Sequence, residues 1–171
     1  MYKRQIPLVA MKPQLAAFAL LAKKSSIVAG VVWGLLSLVL WGPWPLRFLT
    51  VLTDEWAAEW TQDIAIFPWG LLIGLPLLWL SRGDEDLLML AGSFITPHLF
   101  LYHYMLIMPA LGRMSKFWML LTWALCWSPL LANWFGPPAW RLGYLFALSA
   151  WAGIYLGKRR AEQAATGLET A

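Results

Sequence analysis

The eighteen residues from Ile27 to Trp44 carry no charged side chain, and an apolar run of that length is a candidate to cross a bilayer as one helix. It closes on Trp41-Gly42-Pro43-Trp44-Pro45, a sequence that stops a helix and favours the membrane interface. Ile64 to Leu80 repeats the pattern. Ser115 to Phe135 and Pro138 to Leu156 supply two further stretches, joined by Gly136-Pro137-Pro138. With 60% hydrophobic and 13% charged residues, the chain falls well below the ~25% charged content of soluble domains. The expected fold is all-α, a polytopic transmembrane helical bundle over residues 27–157. Residues 1–26 read as a cytoplasmic or interfacial segment lying on the surface, because Pro7, Lys12 and Pro13 interrupt it. Residues 158–171 read as a cytoplasmic basic tail. Lys23-Lys24 follows the apolar patch 14–22 where a cleavable signal would need small residues.

Residues 86–111 decide the topology. As one helix, these 26 residues would cover roughly 39 Å; broken at Thr96-Pro97, they make a helical hairpin of two short arms. A hairpin puts Lys3, Arg4, Lys12, Lys23, Lys24, Arg82, Arg113, Lys116 and Lys158-Arg159-Arg160 on one side, with Arg47 and Arg141 opposite. Basic residues concentrate on the cytoplasmic side of membrane proteins, so the hairpin is favoured. It yields six crossings, both termini in the cytoplasm, in a bacterial inner or plasma membrane. This clustering at span ends also sets aside nucleic acid as a partner, despite a formal charge of +4. Tryptophans near span ends, such as Trp33 and Trp41 or Trp69 and Trp79, suit an interfacial belt. Cys126 stands alone in an apolar run, so neither a disulfide nor a cysteine metal site is available.

Polar side chains at membrane depth mark function more often than structure. Both histidines, His98 and His103, fall between Thr96 and Tyr104, at the external end of the hairpin. A neutral imidazole can accept a proton, bind a metal or donate to a phosphate. On the same face, residues 46–63 carry Asp54, Glu55, Glu59 and Asp63 beside Trp56 and Trp60. These carboxylates could act as a general base or hold a divalent cation, the one cofactor the residues suggest. As the wet face of an interfacial helix they would carry no chemistry. Asp84-Glu85-Asp86, after Gly83, reads as an acidic helix start that complements the helix dipole.

The run from Thr96 to Pro109, Thr-Pro-His-Leu-Phe-Leu-Tyr-His-Tyr-Met-Leu-Ile-Met-Pro, resembles the Ser/Thr-Pro-(x)5-His-hydrophobic-Pro segment of GT-C-type glycosyltransferases. It is closest to the polytopic branch that uses polyprenyl-phosphate sugars, mannosyltransferases included. The Pro68-Trp69 span, the Arg82-Gly83-Asp84 turn and the closing spans are also similar to the family's C-terminal part. The resemblance covers residues 27–157. It implies a chain that handles a polyprenyl-phosphate-linked sugar at the outer face, with His103 and its neighbour Tyr102 at the donor phosphate. Family members carry their catalytic aspartate in a first external loop, near the start of a longer chain. Here the first external segment matches the family's later loops in length, so the chain resembles a glycosyltransferase without its N-terminal catalytic module. Glu55 or Glu59 would then be the base, and a partner membrane chain is implied. The alternative is a non-catalytic transmembrane subunit of a larger complex.

Overall fold

The computed structural model describes residues 13–47 and 63–169, and these form helices and connecting turns with no strand among them. Helix α1 (Pro13–Ala19) opens on a proline, whose fixed φ suits a first helical position. It continues as a 3-10 turn, Leu20–Ala22. The chain reverses at Lys23, in extended conformation, into α2 (Lys24–Trp41), which ends at Gly42 with φ +68°. Leu20 packs where a Cβ on Gly30 would fall, 2.7 Å away. Only 6% of α2 is buried, so its valines, leucines and Trp33 and Trp41 face outward on nearly every side.

Helix α3 (Leu71–Leu80) follows and carries Pro76 inside it. Gly83, at φ +77°, turns the chain into α4 (Glu85–Ser93), whose N-cap Asp84 accepts the Leu87 N–H. Every residue of α4 from Asp86 to Ser93 is buried. Around it pack α1, α3, the 3-10 helix Leu101–Arg113 and the long final helix α7 (Tyr144–Glu169). Leu87, Leu90, Phe94, Tyr104, Ile107, Ala147, Ala150 and Ile154 form the centre of the core. Between them lie α5 (Lys116–Leu125), a 3-10 turn at Ser128–Leu131, the short α6 (Ala132–Phe135) and a 3-10 helix Pro137–Gly143.

Close approach depends on glycines spaced four apart, a pattern that lets helices touch through their backbones. On Gly70 a Cβ would lie 1.9 Å from the Phe94 carbonyl oxygen, and on Gly74 2.5 Å from Ile95. On α7, Gly153 would meet Trp118 at 2.8 Å and Gly157 the Arg113 carbonyl oxygen at 3.1 Å. Trp151 donates to the Ser81 hydroxyl at 2.8 Å, tying α7 to the end of α3.

The all-helical expectation holds, with differences inside it. Among the described residues one helix, α2, is long and apolar enough to cross a membrane. The other apolar stretches are divided. Residues 64–70 precede α3 without forming a helix, Ser128-Pro129 interrupts 115–135, and Pro137-Pro138 starts the last stretch as a 3-10 helix. Each break falls at or next to a proline, which lacks the N–H that an α-helix needs. Residues 13–22 pack one face inward while Ala17 and Leu21 stay exposed. Leu15 enters the core at 1% exposure, and Phe18 fills the space over Gly92, where a Cβ would be 2.1 Å from its ring. The basic stretch from Lys158 is no separate tail within the described residues, because α7 runs through it to Glu169.

The hairpin is present in its essentials. Its start and end meet: Arg113 donates to Asp84 at 3.0 and 2.6 Å and to Asp86 at 2.7 Å. Lys23 reaches Glu85 at 3.2 Å and Lys158 approaches Asp84 at 3.8 Å. Three basic clusters that the charge argument placed on one side thus converge on a single acidic turn. The returning arm is a 3-10 helix of thirteen residues. At about 2.0 Å per residue it extends roughly 26 Å, against about 14 Å for the nine residues of α4.

Candidate functional site

At the far end of α4 the polar groups gather. Thr96 precedes a proline, which biases it away from helical conformation; its hydroxyl caps the departing helix by donating to the Gly92 carbonyl at 3.0 Å. The chain then passes alongside residues 63–65. The Ile64 N–H donates to the Leu99 carbonyl at 2.8 Å. Asp63 is the centre of this crossing. Its Oδ1 accepts the Ala65 N–H at 2.8 Å and the Leu99 N–H at 2.9 Å, and its Oδ2 lies 2.6 Å from His98 Nδ1. One carboxylate therefore closes its own turn, holds the segment after Pro97 and orients an imidazole. Both side chains keep about a sixth of their surface open, 16% for Asp63 and 15% for His98.

A carboxylate on Nδ1 fixes the ring's orientation. Asp63 and His98 thus have the geometry of a general base with its orienting partner.

His103 is placed differently. It is buried at 5% exposure, and its Nδ1 accepts the Phe100 N–H at 3.0 Å, which secures the first turn of the Leu101–Arg113 helix. Tyr102 stacks beside it, with ring centroids 4.4 Å apart, and on Phe100 at 5.7 Å. Tyr102 is exposed, so the two candidate donor contacts divide into an outward phenol and an inward imidazole. Beneath them, Tyr144 donates to the Ser93 carbonyl at 2.9 Å and Tyr104 to the Ser93 hydroxyl at 3.3 Å. These bonds fix the end of α4 from two helices.

Glu55 and Glu59, the candidate bases, lie outside the described residues, as does Asp54. Among the described residues, Asp63, the last carboxylate of that acidic segment, is brought to a histidine. Among the described residues no three histidine, cysteine, aspartate or glutamate side chains gather as a metal site. The pair Asp63–His98 is what sequence reasoning missed, because 35 residues separate its members and the resemblance assigns nothing to His98. Its only signal was that both fall on the same predicted external face. No family model matches the chain, and neither does any curated protein or solved structure.

Proposed function

We propose that the chain is a multi-pass membrane protein that handles a polyprenyl-phosphate-linked sugar at the outer face of the membrane, with Asp63 and His98 at the reacting end. The observation that carries this reading is the 2.6 Å contact between Asp63 and His98, at the end of α4 opposite the acidic turn that binds the basic clusters. Charge asymmetry supports the orientation: the end rich in lysine and arginine faces the cytoplasm. The exposed apolar surface supports embedding, since Val39, Trp69, Leu72, Trp134 and Phe135 are each at least 75% exposed and such patches need lipid or a partner. Six crossings, including the two short hairpin arms, complete the proposed topology.

In the proposed reaction, neutral His98 takes the proton of an acceptor hydroxyl while Asp63 holds its Nδ1–H. The acceptor oxygen forms a bond to the anomeric carbon. The bond from that carbon to the phosphate oxygen breaks, and polyprenyl phosphate leaves with the electron pair. Tyr102, exposed on the adjoining turn, contacts the donor phosphate, and His103 beneath it holds that turn through the Phe100 N–H.

The test uses the full chain in micelles with a polyprenyl-phosphate sugar and a soluble acceptor. Native mass spectrometry is expected to show the lipid retained by the wild type and by His98→Gln and Asp63→Asn. Sugar transfer by those variants falls about 10²–10⁴-fold, the range for losing a general base. His103→Ala lowers donor retention. A second reading, a non-catalytic subunit, is favoured by one observation, the exposure of α2 on nearly every side. A stoichiometric partner chain with no bound polyprenyl lipid establishes that reading and overturns the first.

A further inference from the structure

At the end carrying the acidic turn, Arg82 stands outside the ion pairs seen among the described residues. Asp84 and Asp86 hold Arg113, Lys158 approaches Asp84, and Glu85 holds Lys23. Arg82 immediately precedes this turn and pairs with none of these carboxylates; its described neighbour is the Trp79 ring, 5.5 Å from the guanidinium carbon. Beside it opens a groove of about 500 Å³ between the Leu20–Ala22 turn and α3, lined by Leu21, Leu75, Leu78, Leu88, Trp79 and Arg82. That volume lies within the roughly 300–1,000 Å³ of small-molecule sites. Leucines line part of its wall, and the guanidinium and the indole lie together beside them.

We infer that this groove binds an anionic phospholipid, with the phosphate on Arg82 and one acyl chain along Leu21, Leu75 and Leu78. The complementarity is twofold. The Arg82 guanidinium matches a phosphate, which it can grip through two N–H donors, and the leucines beside it match hydrocarbon. Trp79 sits at the junction, where an amphipathic ring belongs at headgroup depth. The end of the molecule agrees as well, because anionic lipids concentrate in the cytoplasmic leaflet. A zwitterionic lipid offers the same chain without the net charge. The site rests on the membrane embedding proposed above and not on the glycosyltransferase assignment; it is far from Asp63 and His98.

The experiment exposes the full chain in micelles to equimolar phosphatidylglycerol and phosphatidylcholine and counts retained lipids by native mass spectrometry. The wild type is expected to retain phosphatidylglycerol preferentially. Arg82→Gln removes that preference, lowering its retention about fivefold, the factor that one surface cation contributes, while phosphatidylcholine is unchanged. Arg82→Lys keeps part of the preference. Leu75→Trp, which fills the groove from its exposed side, lowers retention of both lipids. Circular dichroism confirms that each variant is folded. Retention of phosphatidylglycerol by Arg82→Gln at the wild-type level overturns the site, as does indifference to Leu75→Trp. Failure of the wild type to retain either lipid overturns the embedding itself, so the two failures are distinguishable.

Discussion

Arg113→Met is expected to lower the stability of the folded chain by about 2–4 kcal/mol, measured by denaturant unfolding in micelles. Arg113 bonds both oxygens of Asp84 and one of Asp86, and both aspartates are only 8% exposed. Removing the cation strands two buried carboxylates, and breaking a buried pair from one side costs about 3–5 kcal/mol. The lower figure applies because the Arg113 side chain is itself 40% exposed and Lys158 stands near Asp84. Asp86 Oδ1 is already buried without a described hydrogen-bond partner, which makes that aspartate the less tolerant of the two. Removing both charges together, as Arg113→Met with Asp84→Asn and Asp86→Asn, is expected to recover most of the loss. A single variant within about 0.5 kcal/mol of wild type, the usual range of surface changes, would show that the turn does not hold the helices.

The same cluster predicts a pH signature. Burial raises the Asp84 carboxyl, but the hydrogen bond and charge of Arg113, the Leu87 N–H and the Lys158 charge outweigh it. The net position is below the ordinary value of 3.8. A carboxyl depressed in the folded state stabilises fully above its unfolded value and loses that contribution as pH falls through its folded value. Wild-type stability therefore holds from neutrality to about pH 4 and declines below it. In Arg113→Met the two largest opposing contributions are gone, while the Leu87 N–H and Lys158 still act against burial, so the carboxyl moves up. The loss of stability on acidification is expected to be shallower in the variant than in the wild type.

Gly70→Val is the second large effect, expected to cost at least about 3 kcal/mol, at the upper end of overpacking penalties. The cause is steric alone, since Gly70 has φ −59°, which any residue adopts. A Cβ there would lie 1.9 Å from the Phe94 carbonyl oxygen and 2.9 Å from its carbon, and backbone has no rotamer by which to yield. Phe94 leads directly into the turn carrying His98, so the substitution is also expected to draw that ring away from Asp63, and, if the proposed function holds, to lower sugar transfer beyond the loss of folded protein. The control is Gly34→Ala, whose Cβ meets nothing within 4 Å. That change is expected to be neutral or stabilising by about 0.5–1 kcal/mol, from helix propensity. Equal unfolding midpoints for the two variants would rule out the backbone contact.

Gly34 also shows why part of the fold escaped the sequence. Gly30-Gly34, Gly70-Gly74 and Gly153-Gly157 share one spacing, yet Gly34 alone of the six has open space in place of a close neighbour. Spacing marks which faces can approach, and only the packed partner decides which do. Charge was more informative. Counting cations grouped Lys23, Arg113 and Lys158 at one end, but their convergence on residues 84–86 is seen only in the fold. The Asp84 cap followed from an acidic residue placed just before an apolar helix. Helix length was not legible, because apolar composition continues through Pro129 and Pro138 while the hydrogen-bond ladder does not. His103 was legible as an unusual residue, but its bond to the Phe100 N–H is a backbone matter with no sequence signal. Asp63 stood among four acidic candidates, and its contact with His98, 35 residues away, is set by the fold and not by the local sequence.

Helix α4 bears finally on how such a chain is made. It is nine residues long, too short to partition into a bilayer alone when about twenty are needed. It is also sheathed by α1, α3, the 3-10 arm and α7, so protein and not lipid supplies its surroundings. Half of that sheath leaves the ribosome after it does. The burial of α4 is therefore complete only once α7 has emerged, and until then Asp86 and Ser93 are covered on the side of α1 and α3 alone. The sheath of this helix closes in two stages.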